Sequence, residues 1–119
     1  MIPFVITFSI LLLIDLPSNE IQTVYVHYEE GSGNPQLQKG VSPQTIKVQL
    51  GVDNNVTWIN SDTVPHTLTP DKIYPGEEGF GMKKPLLPGE SWSYTFSNPG
   101  TYNYHTNPGP WITGTVIVG

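Results

Sequence analysis

Beyond residue 20 the chain alternates apolar and polar positions in short stretches, each closed by turn-forming residues. TVYVHY (23–28) has the two-residue period of a strand. In QTIKVQL (44–50), Ile46, Val48 and Leu50 oppose Lys47 and Gln49, which predicts a half-buried strand. GVDNN then turns the chain into VTWIN (56–60), and SDTVP turns it into HTLT (66–69). ESWSYTF (90–96) places Trp92, Tyr94 and Phe96 on one face, SNPG turns, and TYNYH (101–105) and TGTVIV (113–118) complete the set. Two longer stretches lack periodicity. EEGSGNPQLQKG (29–40) predicts a polar loop, and the Pro/Gly/Lys-rich run 70–89 predicts loop with little regular structure. No helical period is found past residue 20. About seven strands with turns every 8–12 residues predict an antiparallel β-sandwich in one domain, without internal repeats.

The first sixteen residues, MIPFVITFSILLLIDL, belong to another chemical class. Ile2–Ile14 is an almost unbroken apolar run, shorter than the roughly 20 residues of a simple membrane span. It suits the hydrophobic region of a secretory signal, yet no Lys or Arg precedes it and no small-x-small cleavage site follows. Signal, retained anchor and helix packed into a soluble domain are all open readings. The isolation of the run at the terminus favours export or membrane attachment. The domain plan is therefore 1–16 hydrophobic signal or membrane-anchor segment, 17–22 linker (PSNEIQ) and 23–119 β-domain.

Composition narrows the function. The 119 residues suffice to bury a core, and twelve glycines with twelve prolines agree with short strands and many turns. The net charge of −5, with five lysines and no arginine, excludes a basic stripe for nucleic acid. The absence of cysteine removes disulfide and thiolate chemistry. Glu29-Glu30 and Glu77-Glu78 are adjacent pairs on predicted loops and read as solvated surface, not as an acid/base couple. No nucleophile-bearing turn, ordered triad, phosphate loop or closed zinc motif is present, so no enzyme chemistry is expected. The Asn55-Val56-Thr57 sequon is compatible with glycosylation of an exported protein.

TIKVQLGVDNNVTWINSDTVPHTLT (45–69), LLPGESWSYTFSNPGTYNYHTNPGPWITGTVIV (86–118) and the EGSG loop at 30–33 carry a resemblance. Together they are similar to the cupredoxin (blue copper, plastocyanin-like) family, over roughly Tyr25 to Val118. The resemblance implies an all-β, Greek-key β-sandwich of about seven to eight strands behind the N-terminal hydrophobic segment. A blue copper site takes two imidazoles, a thiolate and a weak axial thioether. On the family pattern His66 is the first imidazole. Thr106 falls at the cysteine position, Gly109 at the second histidine and Ile112 at the methionine, while Tyr104, Pro110, Trp111 and Gly114 keep the family's residues. The resemblance therefore implies a degenerate site, with no type 1 copper and no electron transfer through it.

Two expectations follow. The leading one is an exported or membrane-tethered cupredoxin-like domain without cofactor, an accessory or structural subunit binding protein partners in a membrane or cell-surface assembly. Its docking surface would be the stiff Pro108, Pro110 and Trp111 platform, with the 70–89 loop as a second candidate. The alternative is a copper-binding protein with a histidine site at His66, or at His105 with His27 or Asp71, serving electron transfer or copper handling.

Overall fold

The computed structural model describes residues 20–107 and 109–119. The expected hydrophobic segment 1–16 and residues 17–19 of the 17–22 linker lie outside the described residues, as does Pro108. Eight strands are formed among the described residues: β1 Thr23–Tyr28, β2 Val41–Ser42, β3 Thr45–Val48, β4 Asn55–Asn60, β5 Thr69–Pro70, β6 Ser91–Thr95, β7 Gly100–His105 and β8 Thr113–Val118. They make two four-stranded sheets, ordered β2-β1-β4-β6 and β3-β8-β7-β5, the two faces of the expected sandwich.

The sandwich is not purely antiparallel. β1 pairs parallel to β4 (Val26 opposite Trp58), and β3 pairs parallel to β8 (Ile46 opposite Val116). The chain leaves β1 and β2, crosses to the other sheet for β3, and returns to lie beside β1. Such a crossover delivers neighbouring strands in the same direction, whereas hairpins such as β7–β8 deliver them antiparallel. A two-residue period records which face is buried and is silent on the direction of the neighbour.

Val26, Tyr28, Val56, Trp58, Tyr104 and Val116 point between the sheets and are among the most buried side chains. The 70–89 loop is irregular, as expected, but it is not merely surface. Its Tyr74, Phe80 and Leu86 enter the core, and the Phe80 ring lies 5.1 Å from that of Phe96 and 6.1 Å from that of Trp58. The loop closes the open side of the sandwich with aromatic area, which stabilises through burial and edge-to-face contact.

Glu77 corrects the sequence expectation. This carboxylate is 3% exposed and not a solvated surface group. It accepts hydrogen bonds from the Tyr94 hydroxyl (2.6 Å) and from the backbone N–H groups of Ser97 (2.7 Å) and Asn98 (2.8 Å). A carboxylate can leave water when several donors replace it, and here they tie the long loop to the β6–β7 turn.

Candidate metal-centre region

The region is built around His66, which leaves the β4–β5 connection after Pro65. Its backbone is clamped to the long loop by two hydrogen bonds with Leu86 (3.0 and 2.7 Å). The preceding turn is shaped by Asn60. Its side-chain amide donates to the carbonyls of Val64 and Leu86, and its side-chain oxygen accepts from the Asp62 N–H. The imidazole is 2% exposed and stacks on the Tyr28 ring, with centroids 4.7 Å apart and planes within 12°.

One ring nitrogen is fully engaged. His66 Nε2 lies 2.8 Å from Asp62 Oδ2 and 3.3 Å from Ser32 Oγ. An ionised carboxylate only accepts, so Nε2 carries the proton and donates it. In the neutral ring Nδ1 is then a lone pair, and it is buried and without a partner. Asp62 is held in turn by the 30–33 loop. Gly31 and Thr63 N–H groups donate to Oδ1, and Gly33 N–H donates to Oδ2, each at 2.8 Å. Burial opposes its ionisation, but the bonds from His66 and these three N–H groups prevail and hold the carboxyl well below the usual range. Asp62 was not singled out in the sequence. The available signal was an acid four residues before His66 together with two glycines whose N–H groups are free to converge on it.

The other wall comes from the β7–β8 connection. Thr106 is fully buried, and its hydroxyl, like His66 Nδ1, has no hydrogen-bond partner. Its side chain neighbours the Tyr28 hydroxyl, which donates to the Thr67 carbonyl (2.9 Å). Burial, followed by the charge of Tyr104, pushes the Tyr28 phenol well above its ordinary range. Thr106 N–H bonds to the Ile112 carbonyl and Ile112 N–H to that of Gly109, closing a tight turn. Asn107 is tied to Thr67 by two 2.8 Å bonds through the threonine hydroxyl. Ile112 is buried. Gly109 sits at φ +110°, a region L-residues rarely adopt, and a Cβ there would come within 3.3 Å of the Trp111 ring. Trp111 is 47% exposed and donates its indole N–H to the Ser32 carbonyl (3.3 Å). Pro110 is exposed beside it.

The remaining histidines lie apart. His105 is on β7, its Nδ1 2.7 Å from Asp71 Oδ1, both partly exposed. His27 is on β1 in the other sheet, where its ring meets Ser61 Oγ at 3.0 Å. The structure thus joins His105 to Asp71 but not to His27. Among the described residues no group of three or more His, Asp or Glu side chains is arranged to hold a metal ion. The donors that face the His66 region are one imidazole lone pair and one hydroxyl, and no thiolate exists in the chain. That donor set does not fit a copper–thiolate centre. Ser32, His66 and Asp62 do meet, but Ser32 and Asp62 share a single ring nitrogen. A catalytic triad requires both ring nitrogens.

No family model matches the chain. The amicyanin of Paracoccus denitrificans is 36% identical over 76 residues, covering 63% of this chain and 56% of its own length. The plastocyanin of Scenedesmus fuscus is 30% identical over 83 residues, covering 64% of this chain and 83% of its own. The chain spans between about half and two thirds of the amicyanins it matches, 55–62% of their length. Among solved structures, a purple cupredoxin from Nitrosopumilus maritimus superposes with a TM-score of 0.66 at 25% identity, covering 81% of this chain and 99% of that one. With its two four-stranded sheets, its buried histidine behind β4 and these relatives, the chain belongs to the cupredoxin family.

Proposed function

We propose that this is a cupredoxin domain without a type 1 copper centre, serving as an accessory or structural interaction subunit of an extracytoplasmic membrane or cell-surface assembly. The observation that carries the reading is the side chain after β7. There the resemblance places the copper thiolate, and this chain buries a threonine hydroxyl with no partner. A hydroxyl at neutral pH is not a thiolate and cannot form the covalent bond on which a blue site depends. Gly109 adds backbone to chemistry. At φ +110° it occupies the second-histidine position in a conformation that an L-histidine would resist.

The domain is not an enzyme; cupredoxins are carriers, and the Ser32–His66–Asp62 grouping lacks triad geometry. What remains is a rigid sandwich with Trp111 half-exposed and fixed on the 30–33 loop, suited to act as a docking anchor. The extracytoplasmic setting rests on the plastocyanin and amicyanin kinship, and attachment to a membrane on the apolar run at 2–14.

One observation favours a second reading. His66 Nδ1 is a buried, unpartnered nitrogen of a ring whose tautomer is set by Asp62, and a carboxylate on the far ring nitrogen is how proteins prepare a histidine for metal. A histidine-based copper site serving copper handling or electron transfer is therefore the alternative. Anaerobic titration of the purified chain with cuprous and cupric ions, followed by EPR and optical absorption, separates the two. The scaffold reading expects no stoichiometric tight site. A tight site abolished by His66→Ala overturns it, and one abolished only by His105→Ala points to the His105–Asp71 pair.

A further inference from the structure

Four aromatic side chains form a contact series that starts in the core on β7 of one sheet and ends on β6, the edge strand of the other. Tyr104 stands edge-on to Trp58 at 5.7 Å and accepts a hydrogen bond from its indole N–H (3.0 Å). Trp58 faces its cross-strand partner Trp92 at 5.4 Å. Trp92 stacks on Tyr94 at 6.0 Å, with planes within 17°. The series ends where the Tyr94 hydroxyl donates to Glu77 Oε1 at 2.6 Å, the short bond of a phenol to a carboxylate.

The short 2.6 Å bond to a carboxylate sets Tyr94 apart from the other five tyrosines. Tyr28 and Tyr74 donate to peptide carbonyls, which are poor proton acceptors. The Tyr102 hydroxyl also interacts with the Glu77 carboxylate, but its short bond, 2.8 Å, goes to the Asn98 carbonyl. Tyr104 accepts from Trp58, and Tyr25 is exposed to water. Glu77 is oriented for the role, since its second oxygen is held by the Ser97 and Asn98 N–H groups and leaves Oε1 to the phenol.

We propose that Tyr94 and Glu77 form a metal-free, proton-coupled one-electron site, reached through Trp92 and Trp58. An outer-sphere one-electron oxidant takes an electron from Tyr94, directly or by first oxidising Trp92, which Tyr94 then reduces. The phenolic proton passes from Tyr94 to Glu77 Oε1. The products are a neutral phenoxyl radical, a protonated carboxyl and an oxidant reduced by one electron.

Burial, together with the hydrogen bond and charge of Glu77, pushes the Tyr94 phenol well above its ordinary range. Its proton therefore does not leave in a separate prior step, and electron and proton transfer are linked. The proposal does not depend on whether the His66 region binds copper.

The test uses the full chain carrying Tyr25→Phe, which removes the water-exposed phenol, and a photogenerated ruthenium(III) tris-bipyridine oxidant. Transient absorption and freeze-quench EPR read the radical. A tyrosyl signal is expected in this background and lost on adding Tyr94→Phe, with a tryptophan radical in its place. Glu77→Gln keeps an acceptor for the backbone but removes the base, and radical formation slows at least about tenfold. Should Glu77→Gln not fold, the rate in deuterated water carries the test. A rate unchanged in deuterated water, or a tyrosyl signal that survives Tyr94→Phe, overturns the proposal.

Discussion

His66 Nε2 and Asp62 Oδ2 meet at 2.8 Å with both side chains almost wholly buried. The contact makes Asp62 the keystone of the region, because the same carboxylate gathers three backbone N–H groups. Removing it leaves five donors without their acceptor, the three N–H groups, His66 Nε2 and the Ser32 hydroxyl, and Asp62→Ala is expected to cost about 3–5 kcal/mol at neutral pH. The pH dependence has a definite sign. The folded-state pKa lies below the unfolded one, so the contribution is fully present above about pH 4 and is lost as pH falls through the lower folded value. Urea unfolding from neutral pH down to about pH 2 should show stability declining in the wild type and declining less in Asp62→Ala. Equal acid sensitivity would assign the effect to other carboxylates.

Much of this fold was legible because the strands carry the two-residue period of a half-buried sheet. Thr23–Tyr28 and Thr113–Val118 end where their alternation ends. The parallel pairing of β1 with β4 and β3 with β8 was not legible, because strand direction is set by crossovers between sheets. Phe80 and Glu77 were missed for a related reason. They lie in an aperiodic loop, and their burial is decided by Trp58, Tyr94 and Phe96, which are distant in sequence. In the His66 region the histidine was found through its motif. Asp62 escaped because a turn aspartate before a Thr ordinarily reads as a solvated loop residue.

The Thr106 hydroxyl is buried with no partner, and a polar group in that state costs roughly 1–3 kcal/mol. Thr106→Val keeps the branched shape and removes the hydroxyl. The expected result is a gain of about 1 kcal/mol in urea or thermal unfolding. A loss of similar size would mean that the hydroxyl is bonded in solution, for example to the neighbouring Tyr28 hydroxyl.

Gly114 lies directly opposite Tyr104 in the β7–β8 pairing, and the Tyr104 ring rests on its bare Cα. A methyl group there would overlap the phenol, which cannot swing aside without breaking its bond to Trp58. Gly114→Ala should therefore destabilise the domain by about 1–3 kcal/mol through overpacking. In the background Tyr104→Ala the same substitution should cost much less. Additive losses in that double-mutant cycle would refute the steric account.

On the proposed reading, Gly109 decides whether the 106–112 loop differs from a copper-ligating loop in its side chains alone. At φ +110°, any L-residue is strained, so Gly109→Ala and Gly109→His should each lose about 1–3 kcal/mol. Restoring chemistry piecemeal should then fail. Thr106→Cys with Gly109→His returns a thiolate and an imidazole near His66, but not the backbone that would aim them. Cupric ion added to that variant should give no intense thiolate band. Replacing the whole 106–112 segment with a loop of the form Cys-x-x-His-Pro-x-Met should give one, since the His66 Nδ1 lone pair and its Asp62 support are already in place. A strong band from the double variant alone would show that the backbone at 109 adapts, and that the difference from copper-binding relatives lies in side chains only.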